Sequence, residues 1–302
     1  FILDGDHYQL PPITRYASGK GEESPPSLFR LLSEASPEAI VTLRTQYRMN
    51  DEILSLCNKL VYGFRMRTGL STVGEKRMRL TRLKLLSKFD PFHTEWIQIS
   101  VQPDPSIVFY NTDEVPMLEM KGKGSKHNEK EAATVSMIVS ALIICGLQPE
   151  NIGVISPYRT QVNFIRKSIS KQLLAVQRFF PNEINDVKVL TEKLEVHTVD
   201  KFQGRDKECI IFSAVKSYNK CSPGTHITDW QRLNVAVTRA KTKFILIGSK
   251  ETLNNSPFFS KMFDIIDEKC IFNLPNEIDE VDVKPFCSMT QIVSLADTDS
   301  QI

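Results

Sequence analysis

The chain has 302 residues, 41% of them hydrophobic, enough for one large α/β domain or two modest ones. Its net charge is only +2, so any argument for a polyanionic partner has to be local. The six cysteines (57, 145, 209, 221, 270 and 287) form no C-x-x-C pair, which excludes a compact zinc or iron–sulfur framework made by this chain alone and suggests a reducing compartment; no stretch approaches the roughly 20 apolar residues of a membrane span.

The chain opens FILDGDHYQLPP. Three apolar residues read as the end of a buried strand, Gly5 permits a sharp exit, and Pro11-Pro12 stiffen the segment after it. Gln9, just past that end, carries an amide able to donate to a phosphate oxygen and accept from a water. By itself the segment also reads as a strand end with a loop. LRTQYRMN comes next at 43–50 and leads into the helix DEILSLCNKLVYG, with Asn50 as cap and Ile53, Leu54 and Leu56 on the buried side. Tyr47 and Arg48 are expected on the strand-to-helix loop, at the ligand edge of the sheet. There a ring can stack on a base and a guanidinium can fork onto phosphate oxygens, or the two can be a surface packing pair. From Arg65 to Lys88 there are eight basic residues against one acid, interleaved with Met and Leu, which is either a nucleic-acid contact or a solvated insertion.

Short apolar strands then alternate with helices. Ile107–Tyr110, Gly153–Ser156, Leu194–His197, Cys209–Val215 and Lys243–Ile247 show little polar alternation, as strands buried on both faces do. Asn128 can cap a helix with Glu131 as the reciprocal partner, Val135, Ile138, Val139 and Leu142 as the buried stripe and Gly146 as the stop. A second helix comes after Pro157, with Val162, Ile165 and Ile169 on one face. This rhythm predicts a doubly wound parallel α/β sheet. In HTVDKFQGRDKECIIFSAV the strands are interrupted by Gln203-Gly204-Arg205-Asp206, where glycine lets a ligand approach and charges flank it, although a tight turn would need the glycine too. In WQRLNVAVTRAKTKFILIGS, Leu233, Ala236, Val237 and Ala240 fall on one helical face. Arg232 and Arg239 lie on its flank, with Arg239 free to point into a cleft or solvated. From Asn276 to Ile302, six acids against one lysine read as a mobile tail.

Taken in order, these stretches resemble the later motifs of superfamily 1 helicases: the Gln-bearing motif III, QYRM as motif IV, QGRD as motif V and VAVTRAK as motif VI. The resemblance spans about residues 1 to 275. GRDKECIIFS, DWQRLNVAVTRAK and NIGVISPYRTQ are most similar to the helicase/nucleases of eukaryotic DNA replication, while the messenger-RNA decay helicases of the same branch share the four motifs. Asp4 departs from the usual aliphatic residue before Gly-Asp.

The resemblance implies a RecA-like lobe of the P-loop NTPase type, the second of a helicase, preceded by the last strand of the first. Residues 1–31 would form the edge of the first lobe, 32–275 the second with a basic insertion at 65–105, and 276–302 an acidic tail. It implies ATP and Mg²⁺ as cofactors, with Gln9 sensing the γ-phosphate, Arg48 and Arg239 contacting it and its transition state, and Tyr47 stacking on the adenine. Gln203 and Gly204 would line the cleft near the phosphates and Asp206 would lie near the ribose. Pro157, Tyr158, Arg159 and Thr198 would hold the phosphates of single-stranded DNA, or of RNA as the alternative, with 5′ to 3′ movement.

No G-x-x-x-x-G-K-[ST] loop occurs in the chain; Gly122–Lys126 has neither the spacing nor a strand-to-helix context. A fragment of a larger ATP-dependent helicase is therefore expected, inactive alone, with a nucleic-acid-binding module as the rival. The ligands of Mg²⁺ and any iron–sulfur cluster would lie upstream, and no metal ligand is assigned here. Replication proteins are the expected partners, with no membrane, and the nucleus the expected location, with the mitochondrion as a second.

Overall fold

The computed structural model describes residues 2–12, 26–88, 95–115, 127–178, 180–215 and 229–275. The acidic tail and Gly122–Lys126 lie outside the described residues. Two short strands, β1 (Thr45–Gln46) and β2 (Arg67–Thr68), pair in parallel. The main sheet has six: β3 (Ile107–Asn111), β4 (Ile152–Ser156), β5 (Glu195–Thr198), β6 (Lys207–Ser213), β7 (Ala240–Gly248) and β8 (Ile271–Asn273). Their order is β5-β4-β6-β7-β3-β8, and every neighbouring pair is parallel. Parallel neighbours need crossovers, which the intervening helices supply on both faces.

Successive side chains of each central strand enter different layers, as the pleat dictates. Val108, Tyr110, Cys209, Ile211, Ile245 and Ile247 join one core, with the helices Glu129–Ile144 and Arg159–Gln177 packed over it. Ile107, Phe109, Ile210, Phe212, Phe244 and Leu246 join the other, under the helices Asp51–Cys57, Trp230–Val237 and Pro257–Ile265. The doubly wound α/β sheet expected from the sequence is thus the fold. None of the described helices is long and apolar enough to cross a membrane.

Four local expectations are corrected. Residues 2–6 form no strand, and Ile2 is 96% exposed, because no described strand lies beside them to complete a ladder. Asn128 does cap its helix, accepting from the Glu131 N–H at 2.9 Å, but its own N–H donates to Gln161 Oε1 at 2.7 Å, and Glu131 turns inward instead of closing a capping box. β6 ends at Ser213 rather than Val215, whose φ of +76° leaves the extended region. The helix starting at Trp230 stops at Val237, and Ala240, read as its last buried position, opens β7. Arg239 therefore sits in a two-residue link, not on a helix flank.

Lys243, read only as a strand residue, is fully buried in β7. Its ammonium donates to the carbonyls of Ile99, Gln102 and Pro105 at 3.0, 3.0 and 2.7 Å. Burial pulls its pKa down to about 8. All three ammonium protons are used, and the group closes the C-terminal end of the helix Glu95–Val101.

Candidate functional site

Three segments distant in sequence meet at the N-terminal edge of β6 and β7. Buried Gln46 builds the first. Its Oε1 accepts from the N–H groups of Arg48 and Met49 at 2.7 and 2.8 Å, and its Nε2 donates to the Met49 carbonyl at 2.8 Å. The Asn50 N–H donates to the Lys241 carbonyl at 2.9 Å, which ties this loop to β7. Arg48 is thereby presented with Nε 3.2 Å from Asp206 Oδ2 and Nη1 3.2 Å from the Thr238 carbonyl. Asp206 also receives the Lys241 ammonium at 2.7 Å. Burial pushes the Asp206 carboxyl up, but Lys241 and then Arg48 outweigh it and hold the carboxyl below its usual range.

Arg239 is only 2% exposed. Its guanidinium donates to the Val235 carbonyl at 3.1 Å, to Thr238 Oγ1 at 3.0 Å and, at 3.5 Å, to Gln9 Oε1. Burial, and then the charge of Arg48, pull its pKa down to about 10, so it stays cationic at neutral pH. The expectation of a freely projecting Arg239 is corrected: only one end of its fork faces the third segment.

That segment is Asp6–Gln9, docked on the helix Trp230–Val237. Gln231 donates to the carbonyls of His7 and Gln9 at 2.9 Å each, and Asn234 to that of Tyr8 at 2.9 Å. Gln9 Nε2 donates to Asp6 Oδ2 at 3.0 Å, and the Tyr62 hydroxyl donates to the same oxygen at 2.9 Å. Gln9, Arg48, Arg239 and Asp206 are thus brought together.

Tyr47 is 64% exposed, and its ring lies against Gly69, where a Cβ would clash with it. Gln203 and Gly204 are exposed on the turn into β6, and Gly204 has the φ of +82° that favours glycine. Two expectations shift here. The Tyr47–Arg48 loop lies by the starts of β6 and β7, not by the C-terminal strand ends. The Asp206 carboxylate, expected near a ribose, is occupied by two cations.

The nucleic-acid candidates lie at the opposite edge. Pro157, Tyr158 and Arg159 come directly after the last residue of β4, Thr198 is the last of β5, and Ser156 and Thr198 are register partners. The Thr198 hydroxyl makes no capping bond to the short helix Val199–Phe202 that it precedes. Behind this edge is a buried polar cluster that sequence reading missed. Glu131, wholly enclosed, accepts from Ser213 Oγ at 2.6 Å and from the Val215 N–H at 2.9 Å, while Gln161 Nε2 donates to Ser213 Oγ and the Asn128 carbonyl at 3.1 and 3.0 Å. Burial pushes Glu131 up to about 7. The available signal was Glu131 heading the apolar stripe Val135, Ile138 and Leu142 at helical spacing.

Two of the eight cations of the run at 65–88 are ion-paired within the fold, and two more are tied to neutral acceptors. Arg77 pairs with Glu52 at 2.9 Å and Asp104 at 2.5 Å, and Lys76 with Glu208 at 2.6 Å. Arg82 donates to the Ile143 carbonyl at 3.3 Å and Arg65 to the Tyr8 hydroxyl at 2.9 Å, while Met78 and Leu86 enter the core. Among the described residues no group of three His, Cys, Asp or Glu side chains is placed to hold a metal.

Residues 25–251 match the protein family described as AAA domain. The chain is 37% identical, over 92% of its length, to the DNA replication ATP-dependent helicase/nuclease dna2 of Schizosaccharomyces pombe. It is 36% identical over 91% to the DNA replication ATP-dependent helicase/nuclease JHS1 of Arabidopsis thaliana, and 35% over 91% to DNA2 of Homo sapiens. It spans 19%, 19% and 25% of those proteins, respectively.

Proposed function

This chain belongs to the AAA domain family, and from that premise we propose that it is the second motor lobe of an ATP-dependent DNA helicase of the replication helicase/nuclease type. The observation that carries this reading is the meeting of Arg48, held by Asp206 and the Thr238 carbonyl, with Arg239 and Gln9, three polar groups some 40 to 230 residues apart in sequence. The donor set suits the terminal phosphate of ATP: Arg48 and Lys241 share the Asp206 carboxylate, and the Arg239 guanidinium beside them adds a third positive charge, which leaves a net positive site. Beside them Tyr47 offers an exposed ring for a base.

In this reading Arg48 and Arg239 hold the γ-phosphate and compensate the charge that develops on it, Gln9 senses it beside Arg239, and Tyr47 stacks on the adenine. Gln203 and Gly204 line the same edge. Asp206 orients Arg48 rather than meeting the ribose. ATP with Mg²⁺, when bound, supplies the phosphoanhydride whose cleavage drives movement. Pro157, Tyr158, Arg159 and Thr198 hold backbone phosphates of a single strand at the other edge, so lobe motion gated at one end of the sheet is delivered at the other, in the 5′ to 3′ direction. The names of the relatives favour DNA over RNA as that strand, and with it a nuclear location and replication proteins as partners.

The test uses the complete enzyme that carries this chain. Arg239→Ala is expected to lower steady-state ATP turnover by on the order of 10³-fold, with Arg239→Lys recovering little, because a point charge lacks the planar fork. Arg48→Ala is expected to behave similarly. Parental turnover in Arg239→Ala would sink the finger assignment; a lowered melting temperature with parental turnover per folded molecule would make the arginine structural.

A further inference from the structure

Beyond Arg159, already placed with the strand-holding loops, the helix Arg159–Gln177 carries a surface that neither the motifs nor the site above absorbs. Its inner face is committed: Gln161, Val162, Ile165, Ile169, Leu173 and Val176 are buried. Its outer face, with the residue just past its end, exposes Arg159, Arg166, Lys167, Lys171 and Arg178. At 3.6 residues per turn these five fall within an arc of about 140° and extend over about 28 Å. No Asp or Glu occurs anywhere from Arg159 to Asn182. Among the described residues none of the five enters an ion pair with an acid; Arg166 donates to the Val196 carbonyl at 2.7 Å and lies 3.4 Å from His197 Nδ1, both neutral or cationic partners that supply no negative charge. The nearest acid on the adjoining strand, Glu195, is taken by Arg205 at 2.7 Å and Lys207 at 2.9 Å.

The row begins at the end of β4, where the proposed strand-holding loops lie, and runs down the flank of the sheet beside β4 and β5. Unpaired cations on one face, close together, repel each other unless an anion lies over them, and a regularly charged polymer does so best. We propose that this helix face is a second nucleic-acid contact, a sequence-independent track for the phosphate backbone beyond the Pro157 and Thr198 loops. The proposal rests on the reading that those loops hold a strand. Lys167 and Lys171, one turn apart at about 6 Å, would meet neighbouring phosphates of one strand.

The test is the triple variant Lys167→Gln, Lys171→Gln and Arg178→Gln, set beside Thr198→Val, in the complete protein. Binding of fluorescent oligothymidylate is measured from roughly 50 to 200 mM salt, with one oligonucleotide just long enough for the loops and one several times longer. For the long strand, the triple variant should flatten the slope of log affinity against log salt by about 2, since each lost single-strand phosphate contact contributes roughly 0.7. Its binding of the short strand should not change, whereas Thr198→Val should weaken both. An unchanged slope for the long strand overturns the track whatever Thr198→Val does. Equal losses for both lengths also overturn it, because the helix would then act through the loops. A triple variant that loses adhesion to polyglutamate but keeps its nucleic-acid slope has the wrong polyanion assigned. If Thr198→Val binds both strands normally while the triple variant shows the flattened slope, the track stands and the loop assignment falls.

Discussion

Two basic regions of this molecule invert what their sequences suggest. The run at 65–88 is conspicuous as text, eight cations against one acid, yet Lys76 and Arg77 are paired with Glu208, Glu52 and Asp104, all distant in sequence. The cations between Arg159 and Arg178 are spread thinly over twenty positions, and the helix gathers them on one acid-free face. Charge along a chain and charge on a surface are different quantities, and only the second meets a partner. A cation held inside acts on stability, whereas one left outside acts on association.

Measurements can break that division, and the largest effect is expected for the most enclosed cation. Lys243→Met removes the one buried ammonium that the Ile99, Gln102 and Pro105 carbonyls share and should cost about 3 kcal/mol in urea unfolding. A loss below about 0.5 kcal/mol would mean that the carbonyls find other partners. The buried anion supplies a pH counterpart. Glu131 has a folded pKa of about 7, raised from 4.5, so between those values the folded state binds more protons than the unfolded state. Stability should therefore fall as pH rises from about 4.5 to 7 and level off above, by on the order of 3 kcal/mol at most. Glu131→Gln, which can still accept from Val215 and donate to Ser213, should abolish that slope; a slope that survives the substitution belongs to another group.

Smaller effects sharpen the contrast between the two regions. Arg77→Ala breaks two partly exposed pairs and should cost about 1 kcal/mol while leaving the salt dependence of nucleic-acid binding unaltered. A flattened salt slope in Arg77→Ala would return the 65–88 run to the nucleic-acid surface. The smallest stability change should come from Lys171→Ala, within about 0.5 kcal/mol of the parent. Its salt slope should nevertheless fall by about 0.7. The paired cation should move the melting curve and the unpaired one the binding curve, and a reversed pattern would refute the division.

Much of the fold was legible in the residues because strands buried on both faces leave a plain record. Ile107–Tyr110 and Cys209–Phe212 are apolar without interruption, and each falls in a strand whose side chains alternate between two cores. Asn50 and Asn128 announced helix starts because a cap bonds within its own turn, to the N–H three residues on. Local bonds of this kind need no knowledge of the rest of the chain. β8 gave no usable signal, since three residues at a sheet edge are too few to show a pattern.

Order and pattern along the chain were enough to single out Gln9, Tyr47, Arg48, Gln203, Gly204 and Asp206 at element boundaries, and Arg239 on what read as a helix flank. Which of them touch is a matter of crossover connections, which carry Arg48, Asp206 and Arg239 to the same end of the sheet and leave Thr198 and Arg159 at the other. The enclosure of Arg239, the capture of Asp206 by Arg48 and Lys241, and the inward turn of Glu131 all depend on atoms contributed by elements 30 to 230 positions away. Helical and strand periodicity record only which face of an element is buried. The partner that a buried or half-buried charge meets there is decided by packing, because electrostatic attraction depends on distance in space and not on separation along the chain.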